Sequence, residues 1–579
     1  MPPSESNSCP WLWLPVATTT PAKTRYPERP ALNKCWDILF ERHFAGDFVS
    51  FFYKPDLEDP ETRQPFLTGA VICLCSRYLT PEEAKEYFDL PTGAHVCNRF
   101  SPVVRSLAKN SSDEPGGECY FLFFKDILLT SKVVHNIHAY LILALSEFFD
   151  NAGSRHWMYA GIAIRMAQIM RLNKDYHQAH SLKEREIRRR TFWACLLLDS
   201  LLAYYLSKPL TVEQHSFVGL ALPATDASIA FQEIQRGVNL DNLACFTGYP
   251  SEIGITPYFI KTVSLGNHIA NFNVYDRRFL DTKPPTDKTS IFYQRHQEMK
   301  DWVSSLPPGL QWTWDNYRSH SSLGQGRQFI AMHFLIRSSF CVAHQLYLPQ
   351  LDGSTILLDT LDAAGWSLLR REPQFLYCCV TNALSVGEMM CTLLEADAKS
   401  QSEMQSVWVA LSVLSVFNTL LWMQYASDPE YGTVEMANIA RGYFSRFQAM
   451  LASWTVHWRA AQAWLDILQK SEAMYRAAYL GEFDQAILDS LSGLSPTAQQ
   501  QHDEEEEEEE RQEGNGRTFR PQPGDGYPPS TAVPTLYASL RYITTDTTTK
   551  PKVLQSAWNG FASGWTHDLT EMADELVFE

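Results

Sequence analysis

Residues Tyr140 to Asp226 read YLILALSEFFDNAGSRHWMYAGIAIRMAQIMRLNKDYHQAHSLKEREIRRRTFWACLLLDSLLAYYLSKPLTVEQHSFVGLALPATD. Two amphipathic helices joined by a polar loop account for this pattern. The first begins near Ser154, with Tyr159, Ile162, Ala163, Met166, Ile169 and Met170 recurring at helical spacing. The second begins after Ser181, with Glu184 three residues on as a capping box. Its first turns carry Lys183, Glu184, Arg185, Glu186, Arg188, Arg189 and Arg190. It then turns apolar through Phe192, Trp193, Leu196, Leu197, Leu198, Leu201 and Tyr204, and Ser207, Lys208 and Pro209 stop it. No residue here resembles a nucleophile or a metal-ligand set. The stretch is built to pack, not to catalyse.

Working outward, the same period dominates. Toward the N-terminus, Leu32, Cys35, Trp36, Leu39, Phe40, His43 and Phe44 space as one helix, and Phe66 to Tyr78 as another with Leu67, Ala70, Val71 and Leu74 on one face. Ser101 to Ala108 reads as a short helix, Asn110 to Gly117 as a loop, and Cys119 to Thr130 and Lys132 to Asp150 as two more helices. Toward the C-terminus a long polar region runs to about Pro257 along the surface. Helices follow at Tyr258 to Phe279, Phe292 to Leu306, Phe329 to Leu348, Phe375 to Leu394 and Val407 to Met423, with Gln311 to Asn316 a tryptophan-bearing loop. Val434 to Tyr479 adds helices that turn Trp454, Trp458 and Trp464 inward. Few segments alternate with period two, so the fold class is all-α. The domain organisation is a poorly ordered segment 1–30, a helical domain 31–488, a disordered acidic linker 489–556 and an acidic-aromatic tail 557–579.

The chain has 579 residues, 45% of them hydrophobic, enough for one large core or more. Net charge is −17, which gives the body no global attraction to phosphate. Asp503 to Glu513 hold nine acids against Arg511, about half of that excess. The 12 cysteines form no C-x-x-C pair; Cys73 with Cys75, and Cys378 with Cys379, lack zinc-site spacing. They read as buried thiols of a reducing compartment. The apolar run Trp11 to Leu14 has no basic residue before it and lies between Pro10 and Pro15, against a signal peptide. Met404 to Ser427 is the one membrane candidate, but Ser406, Ser412, Ser415, Asn418 and Thr419 dilute it, and it reads as the central helix of a bundle. The expectation is a soluble intracellular protein that does not enter membranes.

No phosphate-loop, dinucleotide, zinc-protease or serine-hydrolase signature is present. His135 with His138, and His177 with His180, have no positioned carboxylate, and Gly324 and Gly326 lack a third glycine. Catalytic, cofactor and metal residues are therefore expected to be none. The run Lys183 to Arg190 is interrupted by Glu184 and Glu186, and successive side chains turn by about 100°. The last residues, Trp558 to Glu579, interleave Trp558, Phe561, Trp565, Leu569, Met572 and Leu576 with Asp568, Glu571, Asp574, Glu575 and Glu579, and no Lys or Arg follows Lys552. Such a pattern suits an activation segment that folds on a partner groove; a final helix docked on the body is the alternative.

The opening stretch resembles the middle homology region of fungal transcription factors, the regulatory domain usually found behind a binuclear zinc cluster. Tyr159, Gly161, Ala163, Arg165, Met166 and Ala167 match "Y-x-G-x-A-x-R-x-A". Glu186, Arg188, Arg189, Arg190 and Trp193 match "E-x-R-R-R-x-W", Leu198 and Asp199 the "L-D" step, and Pro209, Leu222, Pro223 and Asp226 the "G-R-P" and "L-P-x-x-D" ends. Ser200 departs from a usual Arg, Ser207 and Lys208 from Gly-Arg, and Arg171 from a usual Gly. The resemblance implies that the arginines are structural, with Arg188 or Arg189 pairing to Glu184 or Glu186 on the same helix. It implies a nuclear regulator of transcription, in families that often control metabolic or secondary-metabolite gene clusters. Action would be through partner contacts, homo- or heterodimerisation and sensing of a small ligand, with the tail recruiting the transcription machinery as an activator. The family's DNA reader needs six cysteines followed by basic residues, whereas residues 1 to 35 hold Cys9 and Cys35 alone. DNA contact is then indirect through a bound partner, or belongs to a zinc-cluster module encoded by a missing first exon, or uses another surface. The alternatives are an inhibitory partner of a related factor, and a helical ligand-binding protein or enzyme.

Overall fold

The computed structural model describes residues 27–480 except 28, 45–47, 49, 53–63, 113–130, 152–153, 176–179, 207–209, 232–236, 247, 249, 275–282, 284, 346–347 and 349–372. Among the described residues there are eighteen α-helices and no strand. The segments 1–26, 489–556 and 557–579, the helix expected at Cys119 to Thr130 and the stop at Ser207 to Pro209 lie outside the described residues.

The first half comprises Arg29–Leu39 (α1), Pro65–Cys75 (α2), Pro81–Phe88 (α3), Gly93–Ser112 (α4), Ser131–Phe149 (α5), Arg155–Ile169 (α6) and Leu182–Leu206 (α7). Two short helices follow, Asp226–Ala230 (α8) and Pro250–Ile253 (α9). The second half is Thr256–Val274 (α10), Ile291–Ser305 (α11), Trp314–Ser322 (α12), Gly326–Gln345 (α13), Pro373–Ala396 (α14), Ala398–Met404 (α15), Val407–Tyr425 (α16), Val434–Trp454 (α17) and Arg459–Leu480 (α18).

A helix apolar on every side has to be surrounded by others. Two helices of this kind organise the halves. In α2 every residue from Phe66 to Cys75 is buried, and α4 and α5 pack against it. In α16 every residue from Val407 to Gln424 is buried, with α13, α14, α17 and α18 around it. The hydroxyls of Ser412 and Ser415 are satisfied within that helix by the carbonyls of Trp408 (2.8 Å) and Leu411 (2.7 Å). Long α7 joins the halves, touching α5 and α6 on one side and α10 on the other. The last described helices close the other side. Trp458, in the turn before α18, stacks on Phe149 at 4.6 Å and donates from Nε1 to the Tyr78 hydroxyl at 2.8 Å. The buried residues form one continuous core across both halves.

Several expectations need correction. The helix expected at Ser101 to Ala108 is the middle of α4, whose twenty residues include Pro102. The face expected on Phe66 to Tyr78 is no face, because α2 is buried all round, and Ser76–Tyr78 is a 3₁₀ turn. Gln311 to Asn316 is not wholly loop: Thr313 caps α12, which starts at Trp314. The helix expected at Phe329 to Leu348 runs three residues earlier at both ends. The polar region before Pro257 contains α8 and α9, which bury Ile229 and Ile253. Met404 to Ser427 is the buried α16 as expected, yet a second helix, Pro373–Ala396, is also long and apolar enough to cross a membrane, and it too packs in the core.

The most instructive correction concerns α6. Its buried stripe is Ala160, Ala163, Ile164, Ala167 and then Met170, so that of the expected residues Ala163 and Met170 are buried and Tyr159, Ile162, Met166 and Ile169 are not. Small side chains let α6 approach α5 closely, and this close packing outweighs the gain from burying a bigger residue at longer range. Tyr159, Ile162 and Met166 are left half-buried and Ile169 exposed. The helix ends in a Schellman turn: Leu172 N–H reaches Ala167 O and Arg171 N–H reaches Gln168 O, both at 3.0 Å. Arg171 itself has φ +52°. A non-glycine residue there is strained by about 1 kcal/mol, so Arg171→Gly is expected to raise the unfolding free energy by about that amount. A lowered urea midpoint in Arg171→Gly would contradict this.

Candidate functional site

The residues that carry the sequence motifs converge on one structure. On α7, Glu186, Arg190 and Trp193 stand four and three residues apart and so share a face. That face grips the returning loop before α8. Glu186 is fully buried. Its Oε1 accepts from Arg190 Nε (3.1 Å) and from the backbone N–H of Ala224 (2.7 Å), while Oε2 accepts from Arg189. The Arg190 fork reaches further, donating to Asp226 Oδ1 (2.7 Å), Ala224 O (2.6 Å) and Ser50 O (3.2 Å). Trp193 Nε1 donates to Ala221 O at 2.8 Å. One turn beyond, Asp199 Oδ2 accepts the N–H groups of Thr211 and Val212, both at 2.8 Å. Burial raises the Asp199 carboxyl to about 6, with those hydrogen bonds pulling the other way.

These contacts form a clasp that holds 211–226 along α7 and ties in Ser50 from the far N-terminal side. The guanidinium groups are spent on carboxylates and carbonyls, which leaves Arg190 no role as a phosphate ligand. The expected intrahelical pairing is present for Arg189 with Glu186; Arg189 also reaches Asp175 at 3.0 Å. Glu184 instead pairs with His180 at 2.7 Å, and its backbone N–H donates to Ser181 Oγ at 3.2 Å. Arg188 is buried, and that burial lowers its pKa while Glu184 opposes the shift. Arg190 was not singled out for pairing, although its i, i+4 spacing from Glu186 carried the signal. Ser200, at a usual arginine position, accepts from Asn267 Nδ2 at 2.7 Å and so bonds α7 to α10.

A second cluster escaped the sequence reading. Glu147, buried in apolar α5, accepts from Arg105 Nε (2.8 Å) and Arg155 Nε (2.9 Å). A lone acid inside LILALSEFF was its signal, because a buried carboxylate needs partners.

The remaining candidates are dispersed. His138 Nε2 is 2.8 Å from Thr191 Oγ1, and burial holds its pKa well below the usual value. His177 lies outside the described residues. Among the described residues no three metal-ligating side chains gather. Cys73 and Cys75 are buried in α2, and Cys379 lies 3.8 Å from Cys341, sulfur to sulfur; Cys378 is half-buried and Cys245 exposed. At Gly326 a Cβ would stand 2.2 Å from a carboxylate oxygen of Glu403, so this glycine serves packing. A narrow cleft with about 10 Å³ of water-accessible space lies between Tyr204, α10, α13 and α16. Its polar side chains include Asn267 and Ser339 and the hydroxyls of Tyr204, paired to Ser415, and Ser338, paired to Ser412.

Fold and clasp together define an all-helical domain whose motif residues organise its own architecture. Compared with known families, residues 32–304 match the model of the fungal specific transcription factor domain. The chain is similar to an uncharacterized transcriptional regulatory protein of Schizosaccharomyces pombe, 22% identical over 500 residues, covering 79% of this chain and 66% of that protein. A second such protein of the same yeast is 26% identical over 55% of this chain and 33% of its own length. The Zn(2)-C6 fungal-type transcription factor FTF1c of Fusarium oxysporum f. sp. lycopersici is 26% identical over 34% of this chain and 23% of its own length. The matched stretches thus span less than two thirds of these relatives. No solved structure matches the chain.

Proposed function

We propose that this chain is a transcriptional regulator of the fungal type that works in the nucleus. The observation that carries the reading is the domain match over residues 32–304, whose motif residues fold into the clasp. The named relatives, transcriptional regulatory proteins and a Zn(2)-C6 factor, point the same way. The helical body is a platform for partner contacts, including a dimer partner, and the acidic-aromatic tail contacts a co-activator or the transcription machinery. Contact with DNA is assigned to a bound partner or to a zinc-cluster segment outside these 579 residues. Sensing of a small ligand is carried by the family resemblance alone. The family resemblance supports control of a metabolic or secondary-metabolite gene cluster.

The test is to fuse the full chain to a foreign DNA-binding module and measure a reporter carrying its sites. Activation of about tenfold or more is expected. Silence of both the full-chain fusion and a fusion of residues 557–579 would defeat the activator reading and favour an inhibitory partner of a related factor.

A further inference from the structure

Helix α6 presents an outward face that the fold leaves uncovered among the described residues. Met158 is 53% and Ile169 50% exposed, with half-buried Ile162 between them. Arg165 lies in the same line, so 158, 162, 165 and 169 follow the i, i+4, i+7, i+11 course of one helical stripe. Gly161 sits beside that line. A helix-interior glycine is about 1 kcal/mol worse than alanine, yet a Cβ at Gly161 would meet nothing within 4 Å. Nothing in this fold needs the glycine, whereas a helix laid against the face would.

The charge of the face selects its occupant. In a chain of net charge −17, α6 has Arg155 and Arg165 and no carboxylate, and exposed Arg171 follows. A second copy would set arginine against arginine, which disfavours self-pairing. An amphipathic helix with acids beside its apolar stripe is the complement. This chain carries a sequence of that pattern. Trp565, Leu569, Met572 and Leu576 repeat the same i, i+4, i+7, i+11 spacing, flanked by Asp568, Glu571, Asp574 and Glu575 with no Lys or Arg. The 84 residues between Leu480 and Trp565, at about 3.4 Å each when extended, reach any point of the surface.

We propose that the face formed by Met158, Gly161, Ile162, Arg165 and Ile169 is the docking site of the chain's own segment Trp565 to Leu576. Docking withdraws the tail from other partners, so it is a restraint on the activity assigned to the tail above and rests on that reading for its consequence, though not for the contact itself.

The experiment uses the full chain with a photocrosslinking phenylalanine analogue at position 158. Irradiation is expected to give intramolecular crosslinks to peptides within 557–579, read by mass spectrometry. Crosslinks confined to other peptides, concentration-dependent crosslinks to a second copy, or none at all overturn the proposal. In the same background Gly161→Leu points its side chain into open space. It is expected to lower the crosslink yield at least fivefold while the urea midpoint holds or rises; an undiminished yield overturns docking. Arg165→Glu is expected to weaken the crosslink, and Asp568→Lys with Glu571→Lys and Glu575→Lys to restore it. In the reporter fusion Gly161→Leu should raise output several-fold. A crosslink that forms and is lost with Gly161→Leu while the reporter stays silent supports docking and defeats the activator reading alone.

Discussion

Glu186→Ala is expected to lower the unfolding free energy by about 3–5 kcal/mol, the usual consequence of removing one partner from a buried ion pair. The physical reason is what remains behind. Arg190 is buried and would keep only exposed Asp226 as a carboxylate partner, and the Ala224 N–H would lose its acceptor. Arg189 would keep Asp175. Glu186→Gln retains the shape and one acceptor oxygen, so about half that loss is expected. The damage should also be local before it is global. Amide exchange at Ala224 should accelerate in Glu186→Ala, while the N–H groups of Thr211 and Val212, held by Asp199, remain protected. Arg190→Lys should approach the same loss, because an ammonium cannot span Glu186, Asp226, Ala224 and Ser50 together. A urea midpoint for Glu186→Ala within about 1 kcal/mol of the parent would show that the clasp is not a mainstay of the fold.

The fold should also fail steeply in mild acid. Four histidines are buried without charge: His138, His156, His333 and His344. His333 Nε2 donates to Leu310 O at 2.9 Å and His344 Nδ1 to Phe340 O at 2.7 Å, which fixes the tautomer of each neutral ring, while these bonds oppose the lowering by burial. Burial pushes His333 and His344 down to about 3 and His156 down to about 4, the last with Arg155 adding to the effect. His138 is driven well down by burial, with His135 adding. In the unfolded chain each would take a proton near pH 6.5. Between about 6.5 and 4 the unfolded state therefore binds more protons, and stability falls as pH falls. Each histidine gives up to about 1.4 kcal/mol per pH unit, and four give about 5. Asp199 acts in the opposite sense. Its folded carboxyl, raised to about 6, binds its proton before the unfolded one, and this offsets about one histidine between pH 6 and 4. Urea unfolding from pH 8 to 5 should show a plateau above pH 7 and a sharp decline below 6. His333→Gln, which keeps a donor for Leu310, should remove about a third of the net slope below pH 6. Equal stability at pH 7 and pH 5 would sink the argument.

The exposed face of α6 shows why part of the candidate site was not legible in advance. Periodicity ranks residues by polarity and spacing, and on that ranking Ile162, Met166 and Ile169 outweigh Ala160 and Ala167. Which face is buried depended on the distance to α5, a tertiary quantity. Long helices were located well because their apolar repeats extend over many turns, as in α5, α7 and α16. Short elements such as α3, α8, α9 and α12 depend on local caps and neighbouring walls, and propensity alone is too weak to find them.

By itself the sequence determined the all-α class, most of the long helices, and a motif set lying within residues 32–304, the stretch that matches the model of the fungal specific transcription factor domain. These follow from the 3.6-residue repeat and from residue identities, which need no partner to be read. Only the tertiary structure decided that Glu186, Arg190 and Trp193 reach across to Ala221, Ala224 and Asp226, and that Trp458 ties the turn before α18 to Tyr78. It also decided that α6 turns Ala160, Ala163 and Ala167 inward together with Ile164. Contacts between residues far apart in the chain depend on how whole helices stack, and no local pattern encodes that distance.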